Sequence, residues 1–138
     1  MRKIRTGLVG FGEVNTPEEF IAGRVTAVTT RLRELGVDVF DTRYVSDDPE
    51  GKHAARAAAE LARHDFDALI VCVAGWIPTW AVIKTIENFR HKPILLWGLS
   101  GWYRDGSFVT TADQAGTTAL RKVLEDLGFN FHYLVNFK

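Results

Sequence analysis

The sequence predicts an α/β domain built on a mostly parallel sheet, and three observations predict it. Short continuous apolar runs alternate with longer stretches whose apolar residues recur every three or four positions, as strands alternating with helices do. The run Ala68 to Val73 (Ala-Leu-Ile-Val-Cys-Val) is unbroken apolar sequence, as expected of a strand covered on both faces. Each amphipathic stretch also lies between two strand-like runs, so each helix acts as a crossover and successive strands run the same way. At 138 residues the chain has the size of one domain with one core.

The first strand is Ile4 to Phe11. Thr16-Pro17-Glu18-Glu19 then opens a helix: the threonine hydroxyl can cap free N–H groups, proline suits the first helical position, and Glu19 completes a capping box. Ile21, Val25, Val28, Leu32 and Leu35 fall on one face, and Gly36 is the stop. Val37 to Phe40 is a short second strand. Asp48-Pro49 reads as the cap and first turn of a second helix running to about Arg63, its inward face formed by Ala55, Ala58, Leu61 and Ala62. Ala68 to Val73 is the third strand, Thr79 to Arg90 the third helix, and Pro93 to Trp97 the fourth strand. After a long loop, Thr111-Ala112-Asp113-Gln114 has capping-box form and starts a helix through Leu127, which Gly128 ends. Phe131 to Phe137 is the fifth strand.

Five strands and four helices in this order fit a flavodoxin-like three-layer sandwich, sheet order 2-1-3-4-5, with the first helix on one face and the other three opposite. That architecture carries a fifth helix beside the first. Here the chain reaches Lys138 on or just after the last strand, so the last helix is expected to be missing and one sheet face to expose an apolar patch.

Composition narrows the function classes. Seventeen basic residues balance seventeen acidic ones, which argues against a nucleic-acid partner. No run is apolar for long enough to span a bilayer, so no membrane partner is expected. The N-terminal residues lack the form of a signal peptide, and the single cysteine, Cys72, allows no internal disulfide; a cytoplasmic protein is expected.

In an open parallel sheet, ligands bind at the carboxyl ends of the strands, near the point where strand order reverses. The loops there are Gly10 to Asn15, Ala74 to Thr79 and Gly98 to Thr110, the parts richest in glycine and tryptophan. The first loop is a poor match to a phosphate-binding turn, because Asn15 stands where G-x-G-x-x-G needs its third glycine. Glu13, Glu18 and Glu19 also crowd the helix entrance and repel an anion. Glu13 and Asn15 are instead candidate contacts for neutral hydroxyls. Trp76 and Trp102 follow glycines in loops and are candidate platforms, since a flat indole face stacks on the C–H face of a sugar. Trp97 and Trp80 are explained as packing. Arg24 reads as a solvated surface residue, while Asp113 and Gln114 could bind a ligand or cap their helix. The four histidines have no paired spacing, so no metal site is expected in this chain, and no catalytic residues are assigned.

The runs Val71 to Trp80, His91 to Trp102 and Thr110 to Lys122 resemble the L-fucose isomerase and L-arabinose isomerase group, and more narrowly its fucose-isomerase-like members. The resemblance covers most of the chain. It implies an aldose–ketose isomerase whose N-terminal domain is flavodoxin-like and contacts the sugar in a neighbouring subunit's site. Manganese or another divalent metal, with the acid and base residues, would belong to later domains that have no counterpart here. By this resemblance Trp76 matches the aromatic that borders the sugar, and Glu13 and Asn15 fall in a loop that helps close the site. The expected function is therefore that of a sugar-binding and oligomerisation domain, inactive alone, with a small-molecule sugar and either a homo-oligomer or the catalytic domains as partners. The alternatives are a stand-alone carbohydrate-binding or regulatory module and, with less support from the glycine pattern, a nucleotide or flavin binder.

Overall fold

The computed structural model describes residues 2–135. The chain forms β1 (Arg5–Phe11), α1 (Glu18–Glu34), β2 (Asp38–Asp41), α2 (Lys52–Ala62), β3 (Ala68–Val73) and α3 (Thr79–Ile86), which ends in a 3-10 turn at Glu87–Phe89. There follow β4 (Ile94–Gly98), β5 (Trp102–Arg104), β6 (Ser107–Val109), α4 (Asp113–Asp126) and β7 (Phe131–Val135). Five strands make one parallel sheet in the order β2-β1-β3-β4-β7, the predicted flavodoxin-like order with β7 as its last strand. The expected extension of that strand through Phe137 lies outside the described residues.

The two sheet faces carry different loads. Val9, Phe11, Leu69, Val71, Val73 and Leu96 pack with α2, α3 and α4 in the larger core. Leu8, Ile70 and Cys72 point the other way and meet Ile21 and Val25 of α1. One helix faces three, as right-handed crossovers require. On the α1 side the cover thins toward β4 and β7: Leu95 and Trp97 are half-buried, while His132 and Leu134, their register partners, are exposed.

Several local expectations are corrected. The loop between β4 and α4 contains an antiparallel hairpin, β5 with β6, turned by Asp105-Gly106, whose positive φ values (49° and 77°) suit a tight hairpin turn. The inward residues of α2 are Ala54, Ala57 and Leu61 rather than Ala55, Ala58 and Ala62, because Leu61 sets the phase and its partners lie four and seven positions back. Leu35 is exposed, since α1 has ended and the chain turns at Gly36 (φ 83°).

Neither capping box forms. At α1 the Pro17 carbonyl accepts from Phe20 and Ile21 N–H, and Thr16 makes no side-chain cap. At α4 the Thr111 hydroxyl donates to the Ala74 carbonyl instead. Asp48 does cap α2, but from outside its first turn. Gly51 takes the left-handed N-cap conformation, and the Asp48 carboxylate accepts from Lys52 N–H (2.7 Å) and His53 N–H (3.0 Å).

Candidate functional site

The strand order reverses between β1 and β3, and glycines bring their loops together there. A Cβ on Gly10 would lie 2.2 Å from Val25 Cγ2, and one on Gly12 would lie 2.6 Å from Ile21 Cδ1, so α1 approaches β1 closely because no side chain intervenes. The position of a Cβ on Gly75 is 3.5 Å from the Gly12 Cα, which places Trp76 and Glu13 on adjacent loops.

Six amides in and beside these loops are engaged within the chain. Gly12 N–H donates to the Val45 carbonyl, Val14 N–H to Asp47 Oδ1 (2.8 Å) and Thr16 N–H to the Glu13 carbonyl. Ala74 and Gly75 N–H share the Phe11 carbonyl, and Trp76 N–H donates to that of Thr111 (2.8 Å). A phosphate cradle needs several free N–H groups converging on one point, and these amides already have acceptors. What the rim presents is side chains. Trp76 is 37% exposed and Trp80 44%. Glu13 is half-buried and Asn15 exposed, and neither side chain has a hydrogen-bond partner among the described residues. Thus Trp76, Glu13 and Asn15 sit on neighbouring loops of the rim.

Trp102 lies elsewhere. It opens β5 and its ring packs on Phe20 of α1, centroids 4.8 Å apart, with the Arg24 guanidinium carbon 5.2 Å from the ring centre. Trp97 stands beside it on β4, and its indole N–H is enclosed without an acceptor among the described residues. With Ala27, Val28 and Leu99 these residues line a groove of about 470 Å³ between α1 and the β4 end of the sheet. Trp76, Glu13 and Asn15 are not part of its lining.

Arg24 corrects the sequence reading most. Its side chain is 16% exposed and forms an ion pair with Asp113, which is fully buried (3.2 Å). The same Nη1 also donates to the Ala74 carbonyl (2.9 Å) and reaches the Thr111 hydroxyl (3.2 Å), tying α1 to the loop after β3 and to the start of α4. Asp113 further accepts from Gly101 N–H (3.3 Å), the Thr110 hydroxyl (3.1 Å) and Gln114 N–H (3.0 Å). The left-handed backbone of Ala112 (φ 55°) precedes this aspartate, a conformation that a non-glycine residue holds only when its surroundings impose it. Arg24 lies three residues after Ile21 and four before Val28, so helical phase sets it at the edge of the buried stripe, from which its long side chain reaches inward. An aspartate one residue into a helix is the single signal that an acceptor stood opposite.

Cys72 is fully buried, and burial pushes its thiol up to about 12, which leaves it an inert core residue. Ser46 and His53 are hydrogen-bonded (2.8 Å through Nδ1), but Asp48 approaches that same nitrogen (4.0 Å). A relay would need the serine and the carboxylate on opposite ring nitrogens, so this cluster shapes the start of α2. Among the described residues no group of three His, Cys, Asp or Glu could hold a metal ion, and no helix is long and apolar enough to cross a membrane. No family model and no curated protein matches the chain.

Proposed function

We propose that this domain binds a sugar at the rim of the β1 and β3 loops and serves as the substrate-contacting, assembly-forming N-terminal domain of a fucose/arabinose-type aldose–ketose isomerase. The observation that carries the reading is Trp76: a large apolar ring left 37% exposed at the carboxyl edge of a parallel sheet, one loop away from an unengaged carboxylate and amide. Leaving that ring in water is unfavourable, and a sugar offers it a C–H face while its hydroxyls meet Glu13 and Asn15. The engaged amides of Gly12, Val14, Ala74, Gly75 and Trp76 disfavour a nucleotide or flavin phosphate by comparison.

In this reading the domain supplies orientation. Trp76 fixes the plane of the sugar, and Glu13 and Asn15 select the hydroxyls that face the loop. Among the described residues no group of three His, Cys, Asp or Glu could hold manganese, so in this reading metal ligands and proton-transferring groups would come from elsewhere in an assembled enzyme. Titration with L-fucose and L-arabinose, followed by the indole N–H signals of Trp76 and Trp80, tests the proposal. Saturable shifts that disappear in Trp76→Ala and weaken in Glu13→Gln are expected, with no turnover by the purified chain when manganese is added. Absence of any sugar response, or a response unchanged in Trp76→Ala, would refute sugar binding. Isomerase turnover by the chain alone would refute the division of labour.

A further inference from the structure

The polar groups behind the rim converge on the loop of Trp76. Its backbone N–H donates to the Thr111 carbonyl (2.8 Å), and two residues earlier the Ala74 carbonyl accepts from the Thr111 hydroxyl (2.8 Å) and from Arg24 Nη1 (2.9 Å). Arg24 also donates to that hydroxyl (3.2 Å), so arginine, threonine and carbonyl close a triangle. Space is equally tight. A Cβ on Gly116 would lie 3.5 Å from the Trp76 Cα and 3.3 Å from the Ile77 nitrogen. One on Gly75 would lie 2.9 Å from Ile21 Cδ1 and 3.6 Å from the Thr111 Cβ. The Gly75–Trp76 segment is thus wedged between α1 and the first turn of α4, and where it stands depends on where α4 begins.

Asp113 decides that start. It is fully buried, and its carboxylate gathers Arg24, Gly101 N–H, the Thr110 hydroxyl and Gln114 N–H. Gly101 and Thr110 flank the β5–β6 hairpin, so one carboxylate closes the base of the hairpin and opens α4. Ala112, held at φ 55°, is the strained link between the two. A buried ion pair is weak evidence of a contribution to stability, because apolar residues of similar volume often serve as well. What apolar residues do not supply is bonds of fixed direction, and here those bonds end on the loop that carries Trp76.

We infer that Arg24 and Asp113 are positioning residues for the Trp76 platform: through Thr111 and the Ala74 carbonyl, the pair sets where that tryptophan stands on the rim. The inference rests on the proposed function only for the use of Trp76 as a sugar platform. The positioning itself is a property of the unliganded chain.

The test compares the full chain with Arg24→Met, Arg24→Lys and Arg24→Met/Asp113→Asn. The indole N–H signals are followed first without ligand and then through a titration with L-fucose. The double variant removes the unpaired buried charge that destabilises Arg24→Met, so it should keep its fold and separate stability from positioning. In Arg24→Met and in the double variant the Trp76 signal is expected to shift or broaden, while that of Trp80, in the first turn of α3, holds. Both should bind L-fucose about ten-fold more weakly, the penalty of a displaced contact group. Arg24→Lys keeps the charge and a multiple donor, and should recover the Trp76 signal and most of the affinity. An unchanged Trp76 signal in the folded double variant would overturn the inference. So would an unchanged L-fucose affinity in a variant whose Trp76 signal has moved. Indole signals that all move together, and track the denaturation midpoint rather than the presence of a donor at position 24, would overturn it as well, since a purely structural pair behaves that way. If the parent chain gives no response to L-fucose while the Trp76 signal moves in Arg24→Met and returns in Arg24→Lys, the sugar reading fails and the positioning stands.

Discussion

Replacing Arg24 with methionine removes the guanidinium that faces a fully buried carboxylate. The methionine keeps most of the apolar stem against Trp102, so the change is chiefly electrostatic. Breaking a buried ion pair on one side costs about 3–5 kcal/mol, because the remaining charge is left in a poor dielectric. Here Asp113 keeps three donors, Gly101 N–H, Gln114 N–H and the Thr110 hydroxyl, which offset part of the loss. The Ala74 carbonyl loses the arginine but keeps the Thr111 hydroxyl at 2.8 Å. The expected destabilisation is about 2–4 kcal/mol. Asp113→Asn should cost less, about 1–2 kcal/mol, since Arg24 is 16% exposed, retains its bond to Ala74 and can recruit water. Equilibrium urea denaturation of both variants and of Arg24→Met/Asp113→Asn completes the cycle. The double variant should be more stable than the sum of the singles by at least about 1 kcal/mol. Thermal midpoints should fall by roughly 3–4 °C per kcal/mol for a chain of this size. A cost below about 0.5 kcal/mol for Arg24→Met, or simple additivity, would show that the pair does not couple α1 to α4 as described.

Gly10→Ala drives a methyl into Val25 at 2.2 Å between a strand and a packed helix, and should destabilise by about 1–3 kcal/mol in urea; a neutral outcome would mean that α1 can move away freely. Cys72 should resist thiol reagents at pH 8 in the native chain and react fully in urea. Its raised value of about 12 against the ordinary 9.0 means that the unfolded thiol loses its proton first. Its contribution to stability is therefore complete below pH 9 and lost as pH rises toward 12. Burial alone would raise the Asp48 carboxyl, but the His53 and Lys52 N–H donors outweigh it and the net shift is downward. Its contribution is thus present above the ordinary carboxylate range and lost as pH falls through the lowered folded value. Asp48→Ala should cost about 1 kcal/mol at neutral pH, a difference that narrows in acid. Trp97→Phe removes an enclosed N–H that has no acceptor among the described residues and should leave stability within about 1 kcal/mol of the parent; a loss above about 2 kcal/mol would mean that the indole is hydrogen-bonded.

Much of the architecture is legible in the chain because periodicity is a local property. Ala68 to Val73 is apolar throughout because the central strand is buried from above and below, and the structure returns the same six residues as β3. Gly36 and Gly128 mark helix ends because their left-handed conformations suit a residue without a Cβ. The hairpin was equally legible in principle: Asp105-Gly106 between Trp-Tyr-Arg and Ser-Phe-Val carries the signature of a two-residue turn, although its strands are only three residues long.

Tertiary structure alone decided the rest, wherever an outcome depends on partners distant in sequence. The capping-box letters at Thr16 and Thr111 are present, yet Thr111 bonds to Ala74 because folding brings a buried carbonyl within 2.8 Å. Arg24 looks solvated until Asp113, 89 residues away, is carried beneath it. Trp76 and Trp102 resemble each other as loop tryptophans after a glycine, but one reaches the rim while the other meets Phe20 and Arg24 in the groove. The sequence by itself determined where strands, helices and crossovers run, since each needs only its own pattern of apolar residues. Which polar groups are paired, which aromatic rings stay open and which strip of the sheet lacks a cover were decided by packing, because those properties belong to contacts and not to residues.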